Sequence, residues 1–145
     1  MLYLLRHGDA EPDQGGGDAA RRLTKKGRRQ ADAAGRAMLR LGFEPDGCLT
    51  SPKVRALETA KLACRHLGIE PEICREIADG YYDTLDLAAG RGNVMLVGHE
   101  PDMSAEVARL TGAKIGLKKC GLAVLEPRKL KVLLRPSDLA AIAGD

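Results

Sequence analysis

Short apolar runs alternate with longer amphipathic stretches along most of this chain. The runs at residues 1–5, 47–50 and 93–97 are largely apolar, which is typical of strands buried on both faces of a parallel sheet. Between them, apolar residues at helical spacing predict helices over residues 24–41 and 51–67. Strands that alternate with helices in this way predict a parallel sheet covered by helices.

Residues with capping and turn-forming side chains mark the expected ends of the helices. Thr24 is expected to cap the first helix and Gly42 to end it. The apolar stripe of that helix would consist of Ala31, Ala34, Met38 and Leu41. Ser51 is expected to cap the second helix, with Pro52 at its first helical position. Residues 9–18 are rich in Gly, Asp and Pro and predict a loop.

The remainder of the chain adds shorter elements and a hairpin. Residues 70–77 predict an extended segment, residues 83–89 a short helix, and Pro101 the start of a longer one. Residues 121–126 and 129–134 predict a β-hairpin. We therefore expect a single domain over the whole chain, folded as a three-layer α/β/α sandwich with a mostly parallel sheet and an antiparallel hairpin at one edge.

Composition narrows the class of protein. The 145 residues are 44% hydrophobic and 30% charged, with a net charge of +3, as in soluble globular domains. One Phe, three Tyr and no Trp leave little aromatic surface for stacking bases, so we expect no nucleic-acid partner. No apolar stretch is long enough to span a membrane. The four cysteines have no CxxC spacing, which argues against a zinc site or a disulfide framework and favours a cytoplasmic location.

Three predicted strands end in basic residues. The first ends at Arg6-His7-Gly8, the second leads through residues 50–52 to Arg55, and a later one ends at Gly98-His99. Ligands bind at the carboxyl ends of the strands in such sheets, so we expect these side chains to converge. The third histidine, His66, lies near a helix end and is expected to be structural.

Two imidazoles and two guanidiniums would suit phosphoryl transfer, whose transition state spreads negative charge over three equatorial oxygens. His7 could attack phosphorus through one ring nitrogen if the other is held as a donor. Arg6 and Arg55 could bind phosphoryl oxygens, and His99 could donate to another. Each residue taken alone could equally be structural. The convergence of three strand ends favours the functional interpretation.

These residues lie in segments that resemble the motifs of a known family. Residues 5–10, Leu-Arg-His-Gly-Asp-Ala, resemble the signature of the histidine phosphatase superfamily, which has the phosphoglycerate mutase-like fold. Residues 23–31 resemble its L-T-x-x-G-x-x-Q-A segment, and residues 51–60 its S-P-x-x-R-A-x-x-T-A segment. Residues 97–101 resemble its second-histidine motif. The short chain points to the phosphohistidine phosphatases of SixA type, which lack a cap domain.

The resemblance implies a role for each matching residue. His7 would accept the phosphoryl group, and Arg6, Arg55 and His99 would form the phosphate pocket, with Arg21 as a further phosphate contact. The family needs no metal, and we expect no cofactor. The implied partner is a phosphohistidine-bearing protein or a small phosphorylated substrate. No dimerisation stripe is readable in the sequence, and we expect a monomer.

The general acid of larger superfamily members has no clear counterpart in this chain. By position, the candidates are the carboxylates Glu76 and Asp79, followed by Asp9, Asp18 and Glu100. For any one of them, an ordinary surface carboxylate is the favoured interpretation. Imidazole, with a pKa near ~6.5, leaves far more easily than an alkoxide, so a site without a strong acid suits phosphohistidine. The favoured hypothesis is therefore metal-independent hydrolysis of protein phosphohistidine through a covalent intermediate on His7.

Two alternative functions stay open at this point. The first is a phosphatase of small phosphate esters in the same superfamily, or a phosphomutase, which would need additional sequence to build a closed pocket with an acid. The second is a phosphate- or phosphoprotein-binding module without turnover. The intact set of two histidines and two arginines disfavours this second alternative.

Overall fold

A six-stranded sheet forms the centre of the molecule, which the computed structural model describes from residue 1 to residue 145. The strands are β1 Leu2–Arg6, β2 Gly47–Thr50, β3 Pro71–Ile73, β4 Val94–Gly98, β5 Leu122–Leu125 and β6 Leu130–Leu134. Their order across the sheet is β3-β2-β4-β1-β5-β6. The first four strands are parallel to one another, and β5 is antiparallel to both β1 and β6. The predicted mostly parallel sheet with a hairpin at one edge is confirmed.

Six α-helices cover the two faces of this sheet. They are α1 Lys25–Arg40, α2 Val54–Leu67, α3 Glu76–Asp79, α4 Thr84–Ala88, α5 Asp102–Thr111 and α6 Pro136–Ala143. Apolar residues of α1, α2 and α6 form a core on one face, and those of α3 and α5 form a core on the other. The three-layer α/β/α sandwich is therefore confirmed. None of these helices is long and apolar enough to cross a membrane.

The two cores explain why the central strands are continuously apolar. In β1, Tyr3 and Leu5 point into the core under α1 and α2, whereas Leu2 and Leu4 point into the core under α5. Successive side chains of a strand alternate between faces, so a strand covered on both sides needs an apolar residue at each position. The same packing holds β4 beside β1, which aligns the ends of these two strands.

The first helix begins where its sequence predicts. The Thr24 hydroxyl accepts a hydrogen bond from the Gly27 amide at 2.9 Å, which caps α1, and Gly42 follows its end with a positive φ of 72°. Across the helix pair, Gly35 lets α1 approach the backbone of α2, because a Cβ there would lie 2.5 Å from the Ala63 carbonyl oxygen. The two helices therefore pack closely behind the strand ends.

The start of α2 differs from the prediction. The helix begins at Val54, its N-cap is Lys53, and no side chain caps it. The Ser51 hydroxyl instead accepts a hydrogen bond from the Lys53 amide at 3.2 Å and lies 2.7 Å from the ring of His99. The serine is thus part of a turn that precedes the helix, and its hydroxyl faces another strand end. Residues 70–77 also differ, because only Pro71–Ile73 is extended and α3 follows it.

Candidate active site

The candidate site lies at the carboxyl ends of β1, β4 and β2, three neighbouring strands of the parallel part of the sheet. His7 follows β1, His99 follows β4, and Arg55 lies in the first turn of α2. The rings of His7 and His99 are 5.3 Å apart between centroids and tilted by 52°. All three residues are only 6% exposed. The structure thus brings together side chains that are up to 92 positions apart in the sequence.

The hydrogen bonds of His7 determine which of its nitrogens is free. Nδ1 lies 2.7 Å from the Gly8 carbonyl oxygen, which can only accept, so Nδ1 carries the proton and donates it. The main chain of His7 is held on both sides, because its amide donates to the Gly98 carbonyl oxygen and its carbonyl oxygen accepts from the Cys120 amide. Burial, together with the positive charges of the nearby arginines, lowers the pKa of His7 to about 4, although the hydrogen bond to Gly8 opposes this shift. At neutral pH the ring is therefore neutral, with its lone pair on Nε2.

The turn after His7 is anchored by both neighbouring helices. The Gly8 amide donates to the Thr59 hydroxyl at 3.0 Å, and that hydroxyl donates to the Arg55 carbonyl at 2.7 Å. The Asp9 amide donates to the Gln30 side chain at 2.9 Å. Thr59 and Gln30 belong to the two motif segments on α2 and α1. Both segments therefore act in part by fixing the backbone that carries His7.

Two glycines allow α1 to approach this turn. A Cβ on Gly8 would lie 2.8 Å from the Gly27 carbonyl oxygen, and a Cβ on Gly27 would collide with the Asp9 carbonyl oxygen. Neither glycine has a positive φ, so the need is for space and not for a left-handed backbone. The glycine of the L-T-x-x-G segment is thus explained by helix packing against the residues that follow His7.

Both arginines are held through part of the guanidinium group. Arg55 donates from Nη1 to the Asp18 carbonyl oxygen at 2.9 Å and from Nη2 to the Asp18 carboxylate at 3.1 Å. Arg6 donates from Nη1 to the Leu117 carbonyl oxygen at 2.8 Å. Hydrogen bonds from Arg21 and then Arg55 lower the pKa of Asp18 to about 2, so this carboxyl group is an anion at neutral pH.

His99 has one ring nitrogen in a hydrogen bond and one without a partner. Its Nε2 lies 2.7 Å from the Ser51 hydroxyl oxygen, whereas its Nδ1 is buried and has no partner. Burial lowers the pKa of His99 to about 3, and the nearby His7, Arg55 and Lys53 act in the same direction. The second imidazole is therefore also neutral at neutral pH.

Buried polar atoms without a hydrogen-bond partner concentrate in this site. The protein has four such side-chain atoms, and three of them are Arg6 Nε, Arg55 Nε and His99 Nδ1, while the fourth is the hydroxyl of Tyr82. A buried donor left without an acceptor costs about 1–3 kcal/mol, so these positions are expensive unless a ligand supplies acceptors. A phosphoryl group provides hydrogen-bond acceptors on several sides, and its negative charge would be balanced by the arginines.

Arg21 lies near the cluster but is engaged with the preceding loop. Its Nε donates to the Glu11 carbonyl oxygen at 2.8 Å, and its Nη1 donates to the Asp18 carboxylate at 3.1 Å. Its positive charge contributes to the lowered pKa of His7. The structure thus gives Arg21 a role in holding Asp18, and a direct phosphate contact stays a prediction. His66 bonds Asp32 at 2.6 Å, away from this cluster, as expected of a structural histidine.

The two first candidates for the acid, Glu76 and Asp79, form no hydrogen bond with the cluster. Glu76 accepts a hydrogen bond from the Cys74 thiol at 3.1 Å, and Asp79 is exposed at the end of α3. Neither forms a hydrogen bond or ion pair with the four central residues, because it is the buried Ile77 of this short helix that packs against the sheet.

The other candidate carboxylates have different partners: Asp9 bonds Thr24, Asp18 bonds Arg55, and Glu100 bonds Ser104. No group of three or more His, Cys, Asp or Glu side chains is arranged to hold a metal ion.

The site pairs two histidines with two arginines at neighbouring strand ends, an arrangement suited to binding a phosphoryl group. The model of the histidine phosphatase superfamily (branch 1) matches residues 2–86. An uncharacterized protein of Picosynechococcus sp. is 34% identical over 83% of this chain and 81% of its own length. The chain therefore belongs to the histidine phosphatase superfamily.

Solved structures agree with this assignment. A SixA structure from Agrobacterium tumefaciens has a TM-score of 0.81 and 28% identity, with 93% of this chain and 97% of that chain covered. The protein histidine phosphatase SixA in complex with tungstate has the same fold, with a TM-score of 0.80 and 21% identity, and the match covers 95% of this chain and 98% of that chain.

A further sequence relative matches part of the chain. The serine/threonine-protein phosphatase Pgam5 of Drosophila ananassae is 37% identical over 71 residues, which are 49% of this chain and 24% of that protein. Family membership supports phosphatase activity for this chain.

Proposed function

We propose that this protein hydrolyses phosphohistidine on a partner protein, through a covalent phosphohistidine intermediate on His7. The observation that carries the proposal is the free Nε2 of His7 in a cluster with three buried nitrogens that have no hydrogen-bond partner. The Gly8 carbonyl holds the proton on Nδ1, so the attacking lone pair is on Nε2. Arg6 and Arg55 each have an unpartnered N–H group, and Nδ1 of His99 also has no partner. Phosphoryl transfer needs a nucleophile together with groups that bind the three equatorial oxygens, and these residues could supply both.

The first step transfers the phosphoryl group between two imidazoles. His7 Nε2 forms a bond to phosphorus while the bond from phosphorus to the substrate imidazole breaks, and its electron pair returns to the leaving nitrogen. A substrate ring that is protonated on its other nitrogen leaves as neutral imidazole. His7 keeps its Nδ1 proton, hydrogen-bonded to Gly8, and becomes the phosphorylated cation. The same type of bond is broken and formed, so the step is nearly balanced in free energy.

The second step regenerates the enzyme. The oxygen of a water molecule bonds to phosphorus, the bond to His7 Nε2 breaks, and inorganic phosphate leaves with both protons of the water. The guanidinium groups of Arg6 and Arg55 stabilise the negative charge on the equatorial oxygens in both steps. A neutral His7 is restored, because burial disfavours the protonated ring.

The choice of phosphohistidine over an ester rests on the environment of the carboxylates. An alcohol leaving group needs a proton from an acid, and an imidazole with a pKa near ~6.5 does not. Asp18 is ionised and bound to arginines, and Glu76 and Asp79 form no hydrogen bond or ion pair with the cluster. A site without a protonated carboxyl group favours the leaving group that needs none.

The test is to trap the intermediate. The protein is mixed, in the presence of a chelator, with a protein carrying ³²P-phosphohistidine, and released phosphate and acid-labile phosphoenzyme are measured. We expect both, with the label on His7, and we expect His7→Ala to lose both while the matched control His66→Ala keeps them. Faster turnover of a sugar phosphate than of phosphohistidine would overturn the substrate assignment. Binding of phosphate without turnover of any substrate would instead indicate a binding module.

A further inference from the structure

Ser51 is a fully buried hydroxyl between the start of α2 and the ring of His99. Its side-chain oxygen accepts a hydrogen bond from the Lys53 amide at 3.2 Å and lies 2.7 Å from His99 Nε2. No other group lies within hydrogen-bond distance of this oxygen, so His99 Nε2 is the single acceptor within reach of the serine proton. A hydroxyl can donate one hydrogen bond and accept two, which leaves two arrangements to compare.

In the first arrangement His99 carries its proton on Nε2. Nε2 would then donate to the Ser51 oxygen, the hydroxyl proton of Ser51 would have no acceptor, and Nδ1 would present a lone pair to the site. Two buried groups, the Ser51 hydroxyl proton and the Nδ1 lone pair, would then lack a hydrogen-bond partner, whereas a proton on Nδ1 leaves only that proton without one. A lone pair on Nδ1 would also repel the oxygens of a phosphoryl group.

In the second arrangement His99 carries its proton on Nδ1. The Lys53 amide then donates to Ser51 and the Ser51 hydroxyl donates to His99 Nε2, so that of these three residues' groups only the Nδ1 proton lacks a partner. Nδ1 is one of the buried nitrogens without a partner in the cluster that holds His7 and the arginines. The protonated Nδ1 is then available to an oxygen of a bound anion.

We infer that the Ser51 hydroxyl holds His99 in the tautomer with its proton on Nδ1 and so positions a neutral hydrogen-bond donor for the transferred phosphoryl group. The tautomer follows from the hydrogen bonds of the free protein, whereas the contact with a phosphoryl group rests on the proposed function. Ser51 is thus a positioning residue that acts through His99. Its position immediately after β2 explains why this serine precedes the helix instead of capping it.

The tautomer is measured directly in the ¹⁵N-labelled protein. Long-range ¹H–¹⁵N spectra at neutral pH separate a protonated ring nitrogen from one with a lone pair. We expect His99 to show a protonated Nδ1 and an unprotonated Nε2. A protonated Nε2 in the wild-type protein would overturn the inference, whatever the activity. This measurement needs no variant, so it decides the question even if a substitution at Ser51 impairs folding.

Variants then test whether the tautomer matters for turnover. Ser51→Ala removes the donor to Nε2, so we expect mixed tautomers and a kcat lower by about tenfold or more, with a smaller change in KM. Ser51→Thr keeps the hydroxyl and should restore both the spectrum and kcat, and the exposed Ser137→Ala is the matched control. An unchanged kcat in a folded Ser51→Ala would overturn the positioning role. A wild-type protein with the expected tautomer and no turnover would contradict the proposed function alone.

Discussion

Arg55 donates two hydrogen bonds to Asp18, one to its main-chain carbonyl at 2.9 Å and one to its carboxylate at 3.1 Å. The arginine is buried, whereas the Asp18 side chain is 55% exposed. Arg21 and Lys53 form ion pairs with the same carboxylate. The loop that carries Asp18 therefore orients the guanidinium and also places an anion beside the cationic cluster. A phosphoryl group would share Arg55 with this carboxylate.

Asp18→Asn is expected to strengthen the binding of inorganic phosphate. The amide keeps an oxygen that can accept from Arg55 but removes the negative charge that repels the ligand. Because the carboxylate is half-exposed and screened, the inhibition constant for phosphate should fall by only about two- to fivefold. Asp86→Asn, at a surface position, makes the same charge change as a control. Weaker inhibition by phosphate would mean that the carboxylate is needed mainly to hold Arg55 in place.

Arg55→Ala is expected to lower kcat/KM by about two orders of magnitude or more, because a buried charged donor to the transition state is lost. Arg55→Lys should recover little of this, since an ammonium group cannot bind Asp18 and an oxyanion in the forked geometry of a guanidinium. Steady-state kinetics with an aryl phosphate measure both variants. Arg65→Ala, on an exposed position of the same helix, should behave like the wild type. Near-normal kinetics of Arg55→Ala would contradict the proposed pocket.

Gly27→Ala is expected to destabilise the protein and to slow turnover together. The added methyl group collides with the Asp9 carbonyl oxygen, so the first turn of α1 must move away from the turn that holds His7. Forced overpacking of this kind costs about 1–3 kcal/mol in the free energy of unfolding, which urea denaturation measures. Gly116→Ala, where an added Cβ meets no atom within 4 Å, is the control. If Gly27→Ala keeps full stability, helix α1 does not constrain the turn that follows His7.

Acidification is expected to destabilise the protein well above the pH at which its carboxylates titrate. The pKa of His7 is about 4 and that of His99 about 3 in the folded protein, against roughly 6.5 in the unfolded chain. Between pH 6.5 and 4 the unfolded state binds more protons than the folded state, so stability falls as the pH falls. At pH 5 each imidazole should lower the free energy of unfolding by about 2 kcal/mol relative to pH 7. The lowered pKa of Asp18 acts only below this window.

Chemical denaturation at pH 7 and pH 5 measures this effect. His7→Asn removes one of the two titrating groups, so its loss of stability over this interval should be smaller than that of the wild type by about 1–2 kcal/mol. Between pH 7 and 8, where both states hold neutral histidines, the two proteins should change equally. Equal losses of stability from pH 7 to 5 would show that His7 is not held neutral by burial.

The strands and the first helix were predictable because their signals are local. Strands β1 and β4 pack on both faces, which demands the continuous apolar runs that the sequence displays. Thr24 caps α1 through the amide three residues on, so its role depends on neighbouring residues alone. The start of α2 was not predictable, because the Ser51 hydroxyl bonds a ring 48 positions away.

The gathering of the site residues was predictable for a different reason. Parallel strands end at the same edge of a sheet, so basic residues after β1 and β4 must lie close together once the strands are neighbours. Arg55 joins that set because β2 leads directly into the first turn of the helix that carries it. The prediction of Glu76 and Asp79 as acids depends only on their position along the chain. Position alone does not determine which face of a short helix packs against the sheet.

The pattern of apolar runs and amphipathic stretches in the sequence determined the layered fold and its sheet. The residues at the strand ends and the spacing of the motifs determined which four side chains form the centre of the site. The tertiary structure alone decided how those side chains are held. The bond from Arg55 to Asp18, the bond from Gly8 to Thr59 and the contact of Gly27 with Asp9 all join segments that are distant in the sequence. Such contacts depend on where packed helices place a backbone to within a few tenths of an ångström, and no local pattern of residues encodes that distance.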